Sequence, residues 1–263
     1  MPQRAENRSA DGGAGTAAAR AVAISKTYAS GAVEVKALRE VSLSVPRGRF
    51  MGVMGPSGSG KSTLMHCLAG LDAVDSGQVF IGEQEITGLG DKKLTRLRRE
   101  RVGFIFQSFN LVPTLSALEN ITLPLGIAGR KPDRDWLDSV IETTGLTGRL
   151  HHRPSELSGG QQQRVACARA LVGKPEVIFA DEPTGNLDSR AGAEVLAFLR
   201  ESARQMGQSI VMVTHDPIAA GYTDEVVFLA DGSLVDRMSQ PSAAQVLEFM
   251  KSFEPVSAGA SGR

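Results

Sequence analysis

The run Gly55-Pro56-Ser57-Gly58-Ser59-Gly60-Lys61-Ser62-Thr63 carries the chemistry that the chain states most plainly. Its glycines let successive backbone N–H groups turn inward around phosphate oxygens, where a side chain would obstruct them. Phe50–Met54 ahead of it reads as a buried strand, and Leu64–Ala69 behind it as a helix closed by Gly70. That is the strand-before, helix-after context the pattern G-x-x-x-x-G-K-[ST] requires. The helix N-terminus contributes partial positive charge, Lys61 reaches the terminal phosphates of a nucleoside triphosphate, and the Ser62 hydroxyl is placed to ligate Mg²⁺.

A second group of residues supplies what a phosphate cradle lacks. The apolar run Val177-Ile178-Phe179-Ala180 ends in Asp181-Glu182, which sets two carboxylates at the C-terminal edge of a buried strand. One such group holds Mg²⁺, and the other orients or deprotonates a water against the γ-phosphate. Asp181, closing the run, fits the metal role, and Glu182 fits the general base. His215, in Thr214-His215-Asp216-Pro217, follows the strand Ile210–Val213. It is expected at the same sheet edge, where ligands of open α/β sheets bind, with its imidazole toward the γ-phosphate.

These residues need a scaffold, and the rest of the chain reads as one. It has 263 residues, 41% apolar and 22% charged, with 29 basic side chains against 29 acidic ones. That length buries a full core, and the balance leaves no basic field for nucleic acid. The longest apolar stretch, Leu111 to Gly129, is broken by Pro113, Glu119, Asn120 and Pro124, so no span is expected. Residues 1–20 lack the apolar core of a secretory signal and read as a disordered tail, as does the end of the chain. Cys67 and Cys167 cannot build a disulfide framework, and they are expected to be small buried residues in a reducing cytoplasm.

Val33, Val35 and Ala37 alternate with Glu34 and Lys36, as does Val41-Ser42-Leu43-Ser44-Val45, and both predict half-buried antiparallel strands. The continuous runs Val177–Ala180, Ile210–Val213 and Val226–Leu229 predict parallel strands covered on both faces. Asp231-Gly232 then predicts a hairpin turn. Residues 108–170 read as a helical insertion, with a capping box at Ser116-x-x-Glu119 and helical spacing at Trp136, Leu137, Val140 and Ile141 before Gly145. Ser189–Met206 reads as an amphipathic core helix stopped by Gly207, and Ser242–Phe253 as a short helix of no assigned use. Lys92, Lys93, Arg96, Arg98, Arg99 and Arg101 make a basic helix face that suits solvent, lipid headgroups or a protein partner.

One further motif decides the family. Leu157-Ser158-Gly159-Gly160-Gln161-Gln162-Gln163-Arg164 opens a helix, Gln162 to Val172, between the phosphate loop and the acidic pair. With these motifs the chain resembles the nucleotide-binding subunit of ATP-binding-cassette (ABC) transporters over residues 21–240. The resemblance implies an α/β fold: a P-loop NTPase core with a mostly parallel sheet flanked by helices, an antiparallel β subdomain and the inserted helical subdomain. It implies that Tyr28 stacks on adenine, and that Gln107, ending Val102–Gln107, senses Mg²⁺ and joins the core to the helical subdomain. Ser158, Gly159, Gly160 and Gln161 would contact ATP held by the opposite subunit, and Asp188 would link the two sites across a homodimer.

Physical reasoning agrees with that assignment. Ser158 and its glycines open a helix, which makes a second anion-binding end. One chain cannot easily aim both helix ends at a single γ-phosphate, whereas two copies about a two-fold axis can, with two ATP between them. Ser158-x-x-Gln161 is also a plain capping box, but capping does not require Gly159-Gly160. Within the family, Phe106–Leu115, Glu119–Pro124 and Asp181–Asp188 are similar to the macrolide-exporter (MacB), lipoprotein-releasing (LolD) and FtsE group. The implied partner is a separate integral membrane permease, with the subunit held at the cytoplasmic membrane face and no nucleic acid involved. Two other roles stay open at this point: a regulator of an extracytoplasmic enzyme that transports nothing, and a cassette ATPase unconnected to transport.

Overall fold

The computed structural model describes residues 17–30 and 33–252. A long hairpin opens it: β1 (Ala17–Ser30) pairs antiparallel with β2 (Val33–Pro46), and β1 pairs on its other edge with β4 (Ser76–Ile81). The short β5 (Gln84–Glu85) completes this four-stranded antiparallel sheet. The second sheet runs β10-β9-β3-β8-β7-β6. In it β3 (Phe50–Met54), β6 (Val102–Phe106), β7 (Val177–Asp181), β8 (Ile210–Val213) and β9 (Glu225–Ala230) are all parallel. Only β10 (Ser233–Ser239) is antiparallel, returned by the Asp231-Gly232 turn, where φ is 47° and 77°. Two successive positive φ values are what a tight twisted hairpin requires.

Helices fill the crossovers. After β3 comes α1 (Lys61–Leu68), α2 (Asp91–Arg101) leads into β6, and α6 (Ser189–Met206) joins β7 to β8. Between β6 and β7 lie α3 (Ala117–Ile127), α4 (Arg134–Thr143) and α5 (Gly159–Leu171), the helical insertion. The short α7 (Pro217–Ala220) follows β8, and α8 (Ala243–Lys251) closes the described chain. Ser116 and Glu119 form the capping box that starts α3, and Gly207 ends α6 at φ 64°.

The continuous apolar runs are explained by what covers them. Along β3, β7 and β8, alternate residues enter different cores: Met51, Val53, Val177, Phe179, Val211 and Val213 face α1 and the antiparallel sheet. Phe50, Ile178, Ala180, Ile210 and Met212 face α3, α5 and α6. Each strand is therefore apolar on both faces, as a parallel sheet between two layers demands. Phe179 is fully buried in the first core, and its truncation to Ala costs about 3–5 kcal/mol.

Three local expectations differ. The first strand starts at Ala17, so Ala17–Arg20 belong to the sheet: Ala17, Ala18 and Ala19 are small enough to sit buried against β2 and β4. Val35 is 54% exposed, and Glu34 and Lys36 beside it are exposed too, so the alternation there gives no buried face. The basic helix face is partly spent within the chain: Arg98 donates to the Gly70 carbonyl at 2.5 Å, Arg101 pairs with Glu176 at 3.1 Å and Arg96 with Glu100 at 2.9 Å. Residues 1–16 and 253–263, read from sequence as tails, lie outside the described residues, as does Phe253 of the expected last helix.

Candidate functional site

The phosphate loop is held at the end of β3, between β8 and β9, both parallel to it. Gly55, at φ 151°, lies so close to Leu229 that a Cβ would overlap its carbonyl, and Gly60, at φ 101°, meets the Ala37 carbonyl in the same way. Gly58, at φ 78°, faces open space instead. The loop is thus pinned at both ends by backbone and open in the middle, with Ser57 and Gly58 at its exposed crest. Gly60 is also the N-cap of α1, and no side chain caps that end. The first-turn N–H groups of α1 are left for an anion.

Lys61 donates to the loop's own carbonyls, Gly55 O at 2.9 Å and Pro56 O at 2.7 Å. Burial lowers its pKa, while the Glu182 and Asp181 carboxylates act in the opposite direction. The ammonium is thereby held on the loop's own carbonyls. The Ser59 hydroxyl, buried in the same loop, finds no hydrogen-bond partner among the described residues. Pro56, Ser62 and Thr63 complete the run, and Ser62 is exposed at the start of α1.

Asp181 ends β7 in register with Phe106 on one side and Val213 on the other. Burial pushes its pKa up and Glu182 adds to that, against the attraction of His66 and Lys61. Glu182 has φ 44° and donates its backbone N–H to Val213 O at 2.9 Å, a turn that swings its side chain out of the sheet. There Glu182 Oε1 meets His215 Nδ1 at 2.9 Å. Glu182, His215, Gln107, Thr184, Gly185 and Thr214 line a cleft of about 240 Å³. A carboxylate bonded to an imidazole at the rim of a cleft is a competent pair for holding and moving a water proton.

Gln107 leaves β6 into the same cleft and exchanges amides with Asn186: Gln107 Nε2 donates to Asn186 Oδ1 at 3.2 Å, and Asn186 Nδ2 to Gln107 O at 3.1 Å. Gln163, buried in α5, donates to Pro183 O at 2.6 Å and to Phe106 O at 3.4 Å. Its amide thus ties the helical insertion to the residues beside both Glu182 and Gln107. Sequence reading missed Asn186 and Gln163. A glutamine between apolar Ala166 and Cys167 one turn on and the Gly159-Gly160 pair was the one available sign.

The donors present suit Mg²⁺. Among the described residues there is no cluster of three His, Cys, Asp or Glu side chains. A hard, strongly hydrated ion carried on a triphosphate needs only one or two protein oxygens. Ser62, Asp181 and Gln107, the residues expected for this from sequence, each carry such an oxygen.

Ser158 behaves as the N-cap of α5, which begins at Gly159 rather than at Gln162. The Ser158 hydroxyl accepts from Gln161 N at 3.3 Å, and Gln161 Oε1 accepts from Ser158 N at 2.9 Å. A Cβ on Gly160 would come 3.0 Å from that of Ala191, so the glycine permits α5 to lie against α6. Asp188 caps α6, accepting from Arg190 N and Ala191 N. No hydrogen bond or ion pair joins residues 158–161 to residues 55–63 among the described residues. The structure assembles the phosphate loop, Asp181, Glu182, His215 and Gln107 at one sheet edge, while Ser158, Gly159, Gly160 and Gln161 open α5 and Asp188 opens α6. Tyr28 is 40% exposed on β1, with its hydroxyl hydrogen-bonded to Asp72.

Comparison with known proteins shows the family. The ABC transporter family matches residues 38–185, more than half of the chain. An uncharacterized ABC transporter ATP-binding protein of Thermotoga maritima is 47% identical over 211 residues, covering 80% of this chain and 90% of its own. The lipoprotein-releasing system ATP-binding protein LolD of Shewanella denitrificans is 44% identical over 81% of this chain and 92% of its own. The macrolide export ATP-binding/permease protein MacB of Chlorobaculum tepidum is 44% identical over 84% of this chain, which spans only 34% of that relative. A solved dimer of the cassette MJ0796, in a post-hydrolysis state with ADP and Pi, superposes with a TM-score of 0.75 at 38% identity, covering 85% of this chain and 99% of that one. The family match over residues 38–185, with relatives 44–47% identical over four-fifths of the chain, makes this chain a member of the ABC transporter family, as its ATP-binding cassette.

Proposed function

We propose that this cassette binds and hydrolyses ATP as a two-fold dimer and drives a separate membrane permease of the MacB and LolD kind from the cytoplasmic membrane face. One observation carries the reading: the chain presents two glycine-opened helix N-termini, at Gly60 and at Ser158, and nothing within one copy joins them. Each is an anion-binding end, and a triphosphate held at α1 of one copy presents its γ-phosphate to α5 of another. The solved dimeric cassette at 38% identity supports that arrangement.

The chemistry follows from the site. On nucleotide binding Lys61 exchanges the neutral Gly55 and Pro56 carbonyls for anionic phosphate oxygens, so that donor and acceptor are both charged. Ser62, Asp181 and Gln107 would hold Mg²⁺, which would supply positive charge against the phosphates. Glu182, oriented by His215, polarises the attacking water, and His215 stays close enough to hydrogen-bond the phosphoryl group as it leaves. Ser158, Gly159, Gly160 and Gln161 of the second copy close the site and exclude solvent. Asp188, beside the face of α5, carries closure from one site to the other.

A helix from the permease would dock near Gln107, Phe109 and Leu111, next to an open groove of about 460 Å³ lined by Phe104, Phe106, Asn110, Pro124 and Arg169. Among the described residues no helix is long and apolar enough to cross a membrane, and the MacB relative's name joins ATP binding to a permease in one chain. The test is sedimentation of Glu182→Gln protein with and without ATP. ATP-dependent dimers with hydrolysis reduced at least a hundredfold support the composite site, whereas monomers hydrolysing at the native rate reject it. Co-purification from membranes identifies the permease.

A further inference from the structure

The base-facing side of the site holds a charged cluster that the phosphate chemistry does not use. Asp72 lies in the loop that follows α1. Its carboxylate accepts the Tyr28 hydroxyl on Oδ2 and lies 3.2 Å from the Lys26 ammonium through Oδ1. Lys26 and Tyr28 are two apart on β1 and so face the same side, and the Lys26 ammonium sits 5.2 Å from the Tyr28 ring centroid. Asp75 completes the arrangement: it lies 3.8 Å from Lys26 and accepts Thr27 N at 2.6 Å. The Lys26 side chain is only 13% exposed, so this cation is enclosed by its partners rather than solvated at random.

We propose that Asp72, together with Lys26, is a positioning residue for the nucleotide base, setting the Tyr28 ring as a stacking platform before the nucleotide arrives. The proposal rests on the reading of Tyr28 as the adenine-stacking residue. A tyrosine ring on an exposed strand has a broad χ2 well and pays ordering entropy when a base stacks on it. Here the hydroxyl is tethered at one end and a cation covers one face, so the opposite face is left for the base. The cation draws on the ring's negative face, which is a favourable contact in its own right. Burial and the Asp72 carboxylate raise the Tyr28 pKa, against a smaller opposing bond from Thr63, so the phenol stays a donor. Asp72 is held below the ordinary carboxylate range by Tyr28 and Lys26, against burial, and stays an acceptor. Because α1 begins at the phosphate loop and ends in the loop of Asp72, one helix then sets both the phosphate and the base subsites.

The test separates base from phosphate. Full-length protein and its Asp72→Ala, Asp72→Asn, Tyr28→Phe and Asp72→Ala/Tyr28→Phe variants are titrated with Mg-ATP and with Mg-tripolyphosphate, which carries the phosphates and no base. Asp72→Ala is expected to weaken ATP binding about fivefold, the worth of one hydrogen bond, with tripolyphosphate affinity unchanged. Tyr28→Phe is expected to show a similar ATP-specific loss, the double variant no more than either single one, and Asp72→Asn, which keeps an acceptor, a smaller loss. An equal loss for both ligands, an unchanged ATP affinity, or fully additive losses overturns the proposal. Tyr28→Ala with an unaltered ratio of ATP to tripolyphosphate affinity overturns the stacking role of Tyr28 itself, which the Asp72 variants alone do not.

Discussion

The two helix N-termini of this cassette invite comparison, because both are opened by glycine and they are finished differently. At α1 the N-cap is Gly60, in a left-handed conformation with no side-chain cap, and the nearest cation, Lys61, is stored on loop carbonyls. At α5 the N-cap is Ser158, and a reciprocal capping box with Gln161 satisfies two of the orphan groups. An uncapped helix end with a stored cation is built to take a highly charged ligand within one copy. A self-capped end is stable without one and keeps only the Gly159 and Gly160 amides for a second copy's phosphate. In the proposed dimer, binding would fall to the first end and recognition of a bound nucleotide to the second.

The largest effect expected is at neither end but at the carboxylate between them. Glu182→Gln should cut ATP hydrolysis by roughly 10²–10⁴, the usual worth of a positioned general base, while ATP-dependent dimers persist in sedimentation. Native-rate turnover by that variant would break the division between binding and chemistry. Next, Gly60→Ala at φ 101° drives a methyl into the Ala37 carbonyl, and it should cost on the order of 3 kcal/mol, read as lost stability and lost nucleotide binding together. Tyr28→Ala should weaken ATP binding by about 1–3 kcal/mol, as for base stacking on other aromatics, measured by calorimetry. Ser158→Ala removes a cap and should cost about 1 kcal/mol in denaturant unfolding, with ATP binding by single copies untouched. A drop in single-copy affinity would erase the contrast between the two helix ends.

The smallest effect concerns motion. Trp136, the chain's one tryptophan, donates to Leu171 O at 3.2 Å at the far end of α5, with Lys174 over its ring at 5.3 Å. If ATP rotates the helical insertion, its fluorescence should change, and a flat signal alongside demonstrated dimerisation would restrict the movement to the Ser158 end.

Where the chemistry depends on contiguous residues, it was legible in the sequence. The phosphate loop, the capping boxes at Ser116 and Ser158 and the Asp231-Gly232 turn are each dictated by neighbours a few positions apart. Backbone conformation is a local property, and there the chain states it directly. The two-sided burial of Val177–Ala180 and Ile210–Val213 was legible for a similar reason, since unbroken apolar strands have no other stable place. The exposure of Val35 was not, because alternation alone does not say which face finds a cover. Nor was the strand at Ala17–Arg20, where small residues resemble a tail until β2 and β4 lie beside them.

What only the tertiary structure decided are the polar contacts between segments far apart in the chain: Asp72 on Tyr28, Gln163 on Pro183, Asn186 on Gln107 and Glu182 on His215. A side-chain hydrogen bond has no periodicity, and its partner is chosen by whichever backbone the fold carries past it. Contiguous residues alone pointed to a triphosphate at the loop and to Ser116 and Ser158 as the caps of α3 and α5. The packing of β1 against the loop after α1, and of α5 against the ends of β6 and β7, determined which residues hold that ligand's surroundings in place.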